Sequence, residues 1–169
     1  FFTEKPLDKP ALRRSFAFMR SAAVLQDARD TLVVLTSGRP GVKLSFFGAL
    51  PFGRVGNPRL TDDGVLSVAC LEDLLAHKLK VILQRSEKKD YEDIAAMLRA
   101  GGSLAHGLAA ARLFYGNAFQ PTESLKALVY FGDGDLAALS ARDRDSLIAA
   151  VRDRPDLQRV ARRSKSLSA

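Results

Sequence analysis

The chain has 169 residues, 47% of them hydrophobic and 27% charged, which is enough to bury a core in one domain or in a small sheet unit plus a helical unit. No apolar run approaches the roughly 20 residues that cross a bilayer, so the sequence argues against a membrane protein and predicts a cytoplasmic one. The single cysteine, Cys70, excludes an internal disulfide and fits a reducing compartment. The net charge of +7 favours a nucleotide or a nucleic acid as partner.

Much of that charge lies near the end of the chain. Residues 142–169 hold eight lysines and arginines against four acidic residues, and so carry +4 of the +7. A basic tail of this kind is typical of a solvated or frayed chain end, and contact with an RNA acceptor is the alternative interpretation. At the other end the chain opens on Phe1-Phe2-Thr3, which is typical of the last residues of a strand, and we expect a preceding segment to be missing.

The first part of the chain predicts one helix followed by short strands. Apolar residues at helical spacing predict the helix over Pro10–Arg20. Leu50–Gly64 is rich in glycine, proline, asparagine and aspartate and predicts a loop, with a short strand over Val65–Val68 after it. Between helix and loop lie three β-prone runs whose short joints suit antiparallel hairpins: Ala23–Asp27, Thr31–Thr36 and Val42–Phe47.

From residue 71 onward the hydrophobic periodicity predicts helices only. Gly101 and Gly116 follow helical runs where C-caps belong, and Pro121 and Pro155 stand near helix starts. The predicted helices are Leu71–Gln84, Lys88–Arg99, Leu104–Tyr115, Thr122–Phe131 and Asp143–Arg152, with a weaker one beyond Pro155. A small antiparallel sheet followed by a helical bundle is an α+β fold, with a boundary expected between residues 69 and 70.

The helix that begins at Leu71 has two cations on its predicted apolar side. At about 100° per residue, Lys78 lies in the middle of an aliphatic stripe and Arg85 at its end. The stripe consists of Leu71, Leu74, Leu75, Val81 and Ile82, and the side predicted to face water consists of Glu72, Asp73, Ala76, His77, Lys80 and Gln84. Because an isolated buried charge is costly, Lys78 and Arg85 either form internal ion pairs or line a cleft that holds anions.

Two acids at the start of the next helix can complete such a site. Asp90 and Asp93 stand three residues apart on one face, within reach of Arg85 if the connection is tight. Carboxylates in a first helical turn also suit the helix dipole, and Asp90 alone can be explained in that way. These spacings indicate a charged site but do not identify a reaction.

The motif around these residues resembles the AbiEii family of nucleotidyltransferases. The stretch Asp73-Leu74-Leu75-Ala76-His77-Lys78-Leu79 is similar to the family's Asp-Leu-Leu-Ala-x-Lys-Leu helix, and Arg85, the pair Lys89-Asp90 and Asp93 follow it in the family's order. Gly41-Val42-Lys43-Leu44-Ser45-Phe46-Phe47 resembles a core strand of the family's polymerase-β-like sheet, and Phe1-Phe2-Thr3 resembles the residues after its Asp-x-Asp strand. The resemblance implies a partial nucleotidyltransferase-like sheet unit over residues 1–69 and a C-terminal helical domain over residues 70–169.

The resemblance also implies an activity and a set of residue roles. Such enzymes transfer a nucleotide from a nucleoside triphosphate with the help of Mg²⁺, and some are toxins paired with an antitoxin. By position, Lys78 and Asp90 would be the catalytic residues, with Lys78 on the substrate phosphate and Asp90 orienting or deprotonating a nucleophile. Arg85, Lys89 and Asp93 would bind substrate or support that arrangement, Arg85 by holding phosphate or by pairing with Asp90.

Two departures from the family pattern bear on activity. The Gly-Ser or Gly-Gly phosphate turn and the Asp-x-Asp pair are missing, and we expect them before Phe1. Ser45 stands where related enzymes often have a third carboxylate. Because metal ions held by carboxylates neutralise the phosphates during transfer, we expect no turnover from the chain as given. The alternatives are a non-catalytic protein-interaction module and an RNA-binding domain that uses the basic tail.

Overall fold

In the computed structural model, which describes residues 1–153, 157 and 159–168, a small sheet is combined with helices. The described residues form a three-stranded antiparallel sheet, a short two-stranded hairpin and six α-helices. This composition confirms the predicted α+β fold class. Two compact units can be distinguished: unit 1 comprises Phe1–Gly53 and Lys165–Leu167, and unit 2 runs from Arg54 to Ser164. The family-based domain division at residues 69 and 70 stays a prediction.

Unit 1 begins with a helix that is shorter than the sequence predicts. Helix α1 spans Lys9–Ser15, and the Asp8 side chain caps it by accepting a hydrogen bond from the Ala11 amide at 2.8 Å. The continuous helix predicted over Pro10–Arg20 is wrong, because Phe16 has extended backbone angles (φ −114°, ψ 113°) and a separate 3-10 turn covers Ala17–Arg20. This break lets residues of both segments reach the core of the unit.

The sheet of unit 1 has the strand order β1-β2-β3, with both pairs antiparallel. Strands β1, β2 and β3 span Ala23–Ala28, Thr31–Leu35 and Lys43–Phe47. The predicted antiparallel pairing of the second and third runs is therefore confirmed. The strand-like start of the chain also agrees with the structure, since Phe2 forms a parallel bridge with Phe47. One face of the sheet is buried in a core of Met19, Leu32, Val34 and Phe46, with Leu7, Leu12, Phe18, Ala22 and Leu44 packed against it.

The described residues of unit 2 form a short hairpin and five α-helices. The hairpin pairs β4 (Arg59–Leu60) with β5 (Ser67–Val68), so part of the predicted loop over Leu50–Gly64 is a strand. The helices are α2 (Leu71–Val81), α3 (Lys88–Arg99), α4 (Leu104–Tyr115), α5 (Pro121–Leu128) and α6 (Ala141–Arg152). The bounds predicted for α3 and α4 are confirmed at both ends. The predicted ends of α2 at Gln84 and of α5 at Phe131 are each three residues too late.

The helices of unit 2 bury one shared core. Its fully buried aliphatic and aromatic side chains include Leu75, Leu79, Ile94, Leu108, Phe119, Leu128 and Leu147. Removing these apolar surfaces from water is the main favourable contribution to the stability of this unit. None of the helices in the described part of the chain is both long and apolar enough to cross a membrane.

The last residues of the chain are partly ordered against the rest of unit 2. Arg54 and Ser164 form an antiparallel bridge, in which the Arg54 amide donates to the Ser164 carbonyl at 2.9 Å. The weak helix predicted beyond Pro155 begins at a residue outside the described ones, and residues 159–168 form no helix. The predicted solvated tail is therefore held in place at Ser164.

Candidate functional site

The buried face of helix α2 is rotated from the predicted apolar stripe, and only Leu75 and Ile82 belong to both. Leu75, Ala76 and Leu79 are fully buried, and Ile82 follows them just past the end of the helix. Lys78 therefore lies at the edge of the buried face, and its predicted place in the middle of the apolar stripe is wrong. The prediction that Ala76 faces water is also wrong, because this small side chain packs against the other helices. Leu71, Leu74 and Val81 extend the apolar side of the helix beyond the face that is buried. Hydrophobic periodicity alone does not show which part of an apolar side another helix covers.

Helix α2 ends earlier than predicted because another helix satisfies one of its last carbonyl groups. The Leu83 amide donates to the Lys80 carbonyl at 3.2 Å rather than to the Leu79 carbonyl, which it would reach in a continuing α-helix. The Leu79 carbonyl instead accepts a hydrogen bond from the fully buried Ser124 hydroxyl of α5 at 2.8 Å. Arg85 consequently lies in the connector between α2 and α3, not on the helix.

The connector from Ile82 to Glu87 is also held from its other side. The Asp135 carboxylate accepts a hydrogen bond from the Lys88 amide at 2.5 Å, at the start of α3. Gly134 has a left-handed backbone (φ 55°), and a Cβ atom added there would lie 2.1 Å from the Ser86 carbonyl oxygen. Only glycine permits this close approach. The Gly132-Asp133-Gly134-Asp135 turn thus positions the connector.

The fixed connector brings four of the predicted site residues together. Lys78 Nζ lies 2.7 Å from Asp90 Oδ1 and also donates to Asp93 Oδ2. Arg85 Nε lies 2.8 Å from Asp90 Oδ2, and Arg85 Nη2 donates to Asp90 Oδ1 at 3.3 Å. We refer to Lys78, Arg85, Asp90 and Asp93 as the charge cluster. Of the two alternatives that the sequence left open, the internal ion pair describes this geometry.

The charge cluster is buried at its centre and open at its edge. The Asp90 side chain is 0% exposed, whereas those of Lys78, Arg85 and Asp93 are 29%, 46% and 54% exposed. Burial opposes ionisation of Asp90, but the hydrogen bonds from Arg85 and Lys78 outweigh it and lower the pKa of this carboxyl group below its ordinary value. The pKa of Lys78 is raised, because its two carboxylate partners outweigh its own desolvation. Both groups therefore stay charged at neutral pH.

Lys89, the fifth predicted residue, is not part of the charge cluster. Its Nζ lies 2.8 Å from Glu87 Oε2, and its side chain is largely exposed. Glu87 also lies 3.4 Å from Arg85 Nη1, so Lys89 is linked to the cluster only through a shared surface acid. Surface pairs of this kind contribute little to stability.

Sequence reasoning missed a second buried acid, Asp73, which it placed on the wet side of α2. Asp73 is almost fully buried, and its oxygens accept hydrogen bonds from the Val55 amide at 2.9 Å and the Gly56 amide at 3.4 Å. The Cys70 thiol donates to the same carboxylate at 3.2 Å, and burial raises the pKa of Cys70 to about 12. Asp73 therefore fastens a loop to the start of α2. Its position in a first helical turn and its place at the start of the family-like motif were the available signals.

The described residues do not supply a site for Mg²⁺. They contain no group of three or more histidine, cysteine, aspartate or glutamate side chains that could hold a metal ion. Both oxygens of Asp90 are already engaged by Lys78 and Arg85, and the charge cluster has only one other carboxylate, Asp93. Mg²⁺ requires several oxygen ligands in nearly octahedral geometry, which the charge cluster does not fit.

An open cavity of about 430 Å³ lies elsewhere in unit 2, where the end of α3, the start of α4 and α6 meet. Arg99 is the cation on its wall, and this side chain is held by Asp143 at 2.7 Å and by Ser146 at 3.3 Å. None of the predicted site residues lines this cavity. Its position gives no support to the predicted anion-binding cleft.

Comparison with known proteins identifies the family to which this sequence belongs. The family model described as "Nucleotidyl transferase AbiEii toxin, Type IV TA system" matches residues 6–164. The chain is also 31% identical over 101 residues to the uncharacterized protein aq_aa25 of Aquifex aeolicus (strain VF5). That alignment covers 60% of this chain and 47% of the relative, so the chain spans about half the length of the curated relative that it matches. No solved structure matches. Because the family model covers nearly the whole sequence, the chain belongs to the AbiEii family of nucleotidyl transferase toxins.

Proposed function

We propose that the protein containing this chain transfers a nucleotide from a nucleoside triphosphate to an acceptor, and that the charge cluster binds the phosphate groups. The family membership supports the reaction class at a coarse level. The observation that carries the phosphate site is the pairing of a fully buried carboxylate, Asp90, with two cations whose head groups remain partly exposed. Such an arrangement holds cations in a fixed direction while leaving some of their donors free.

The number of free donors supports phosphate as the ligand. Lys78 has three N–H donors and uses two of them on Asp90 and Asp93. Arg85 has five N–H donors, and its contacts with Asp90 and Glu87 leave part of the planar fork available. Charge-assisted hydrogen bonds from such groups to phosphate oxygens are about twice as strong as neutral ones.

We infer that Asp90 orients the two cations rather than removing a proton from a nucleophile. Both of its oxygens already accept hydrogen bonds, and its lowered pKa makes it a weak base. An efficient general base needs a pKa near the operating pH. In this proposal the more exposed Asp93 loses its salt bridge with Lys78 when the phosphate binds, and Asp90 keeps its own.

Mg²⁺ remains part of the proposal only through the family. When bound, the metal would neutralise charge on the phosphates during transfer. We assign no metal ligand and no metal-dependent step to the described residues. An antitoxin is likewise proposed as a partner from the family's printed description. An RNA acceptor on the basic tail receives no support from the described contacts.

The test measures nucleotide transfer and nucleotide binding separately. The whole protein that contains this chain is incubated with Mg²⁺ and each of the four α-labelled nucleoside triphosphates, with and without total RNA and protein acceptors. We expect label transfer from at least one triphosphate, and a loss of about 100-fold or more in Lys78→Gln and Arg85→Gln. Lys88→Gln is the matched control, because Lys88 is a partly exposed lysine of α3 that pairs with Glu92 at 3.2 Å and lies outside the charge cluster.

Two results would contradict the proposal. Absence of transfer from every triphosphate in the whole protein would remove the enzymatic function and favour an interaction module. Transfer that is lost equally in the Lys88→Gln control would show that the charge cluster has no special role. Triphosphate binding, measured by calorimetry on the same variants, distinguishes a lost phosphate contact from a lost catalytic step.

A further inference from the structure

Strand β1 forms one edge of the sheet in unit 1 and is exposed along its whole length. All six of its residues, Ala23–Ala28, are exposed, and Leu25 is 54% accessible to solvent. The strand pairs with β2 on one side, and no other strand in the described ranges pairs with its second side. An unpaired strand edge presents a row of amide and carbonyl groups to which another extended chain can add.

The edge carries exposed apolar side chains, and it lacks the charged lysine and the proline that often protect an exposed strand from pairing. The strand has no proline and no lysine, and Val24 and Leu25 are both exposed. A register shift between Val24 and Gln26 leaves Leu25 without a partner in β2. Such a bulge is one of the features that protect a strand edge, and in a pair of identical strands it would disturb both sides of the contact, whereas a partner segment without a bulge meets it once. It therefore disfavours a second copy of this chain as the occupant.

The charges around β1 point to the chemistry of the occupant. The one acid on the strand, Asp27, is neutralised by Lys9 at 2.5 Å and Arg13 at 3.6 Å. Arg20 precedes the strand, and Arg29, in the turn that follows it, is 98% exposed. Residues 1–53 contain eight lysines and arginines against four acids. Like charges would repel a second copy, whereas an acidic segment would be attracted.

We propose that the free edge of β1 is a docking site for an acidic, extended segment of a partner protein, which adds to the sheet as a further strand. Main-chain hydrogen bonds supply the affinity, and the flanking arginines select acidic side chains. None of the exposed side chains of the strand is aromatic, so they offer no stacking platform for the bases of a single-stranded nucleic acid. This inference does not depend on nucleotide transfer.

The experiment uses the whole protein and a synthetic nine-residue peptide that alternates glutamate and valine. Hydrogen–deuterium exchange is expected to slow over residues 23–28 when the peptide is added, and fluorescence anisotropy gives its affinity. Two further peptides carry N-methyl groups on alternate residues, one on the odd-numbered and the other on the even-numbered positions. One of the two is expected to bind about tenfold more weakly, because its methylated amides are those that would donate hydrogen bonds to β1. A glutamine version is expected to bind several-fold more weakly and to lose the dependence on salt.

Protein variants test the charges without changing the strand. Arg20→Glu with Arg29→Glu is expected to weaken the acidic peptide by about tenfold or more, while Arg142→Glu, an exposed arginine of unit 2, leaves it unchanged. Circular dichroism verifies that both variants are folded.

Four results would overturn the inference. The first is that both N-methylated peptides bind equally, and the second is that exchange slows only outside residues 23–28. The third is that a uridine oligonucleotide displaces the peptide fully. The fourth is that the amides of β1 already exchange slowly before any peptide is added. The last result would show that another segment of the same protein covers the edge. None of these outcomes depends on whether the protein transfers nucleotides.

Discussion

Two buried aspartates in unit 2 lie in similar surroundings and have opposite kinds of partner. Asp73, on α2, accepts hydrogen bonds from two backbone amides and a thiol. Asp90, on α3, accepts hydrogen bonds from a lysine and an arginine. The neutral donors of Asp73 belong to the protein's own loop and to the start of its own helix, and they are satisfied within the fold. The cations of Asp90 are partly exposed and keep free donors.

The difference separates a structural carboxylate from a candidate functional one. The donors around Asp73 are neutral and fixed in the fold, so they have no spare hydrogen-bonding capacity for a ligand. The role of Asp73 is therefore to hold residues 55 and 56 on α2. The cations around Asp90 are held in direction but can still contact an anion from the solvent side. Burial of a charged residue is therefore a poor guide to function unless the exposure of its partners is also known. The predictions below test whether the two acids differ as this comparison requires.

The largest effect is expected from Asp90→Asn. The substitution leaves Lys78 and Arg85 without their shared buried carboxylate and places an amide group against cationic donors, which is expected to lower the free energy of unfolding by about 3 kcal/mol. Urea unfolding of the whole protein measures this. Asp93→Asn, at the exposed edge of the same cluster, is the matched control and is expected to cost about 0.5 kcal/mol.

A similar cost for both substitutions would contradict the comparison. It would mean that the buried and exposed carboxylates hold Lys78 equally well, and that Asp90 is not the centre of the charge cluster.

The next effect is expected from Asp73→Asn, at about 2 kcal/mol. The new side chain has one acceptor oxygen, so at least one of the buried donors from Val55, Gly56 and Cys70 is left without a partner. Hydrogen–deuterium exchange is expected to speed up at residues 55 and 56 while residues 82–90 stay unchanged. Asp145→Asn on the exposed surface of α6 is the control. Faster exchange at residues 82–90 in Asp73→Asn would show that the two acids belong to one structural unit.

A smaller effect, about 1 kcal/mol, is expected from Ser124→Ala, which leaves the buried Leu79 carbonyl without its donor. Because this hydroxyl sets the end of α2 and hence the position of Arg85, Ser124→Ala and Asp90→Asn should be non-additive by more than about 0.5 kcal/mol. Ser124→Ala and Asp73→Asn should instead be additive. Ser146→Ala is the control, because it removes a half-buried hydroxyl that donates to the Arg142 carbonyl of α6 and accepts from Arg99, and that among the described residues makes no hydrogen bond to α2 or Arg85. Additivity in both pairs would show that Ser124 stabilises α2 without positioning Arg85.

These residues show which parts of the structure could be predicted from the sequence. The bounds of α3 and α4 follow from local signals, because Gly101 and Gly116 both adopt left-handed backbone angles just past a helical run. The hairpin of β2 and β3 follows from alternating apolar residues on either side of a turn. The motif of spaced charges also identified the four residues that meet in the charge cluster. In each of these cases the information lies within a few residues of the feature.

The errors arise where a distant residue decides the local structure. Nothing between Leu71 and Arg85 indicates that Ser124, 45 residues beyond Leu79, satisfies the carbonyl at which α2 begins to end. Asp73 was assigned to the wet side because its partners in the loop are backbone amides, 17 and 18 residues earlier in the chain. A hydrogen bond from a backbone amide can come from almost any residue, so the sequence does not indicate it, whereas an ion pair requires residues of opposite charge. This explains why the pairing of Asp90 was predictable and that of Asp73 was not.

The smallest effect is expected in the pH dependence of the Asp90 contribution, because burial offsets much of what the cations supply. The pKa of Asp90 is lowered in the folded chain from its ordinary value of 3.8, so ionised Asp90 stabilises the fold above that value and the contribution is lost as the pH falls through the folded pKa. The difference in unfolding free energy between the native chain and Asp90→Asn should therefore stay constant from about pH 7 to about pH 5 and shrink only below about pH 4. Urea unfolding at a series of pH values measures it, with Asp93→Asn as the exposed control. A difference that instead grows as the pH falls from about pH 7 to about pH 5 would mean that the pKa of Asp90 is raised, that desolvation outweighs Lys78 and Arg85, and that Asp90 could act as a base after all.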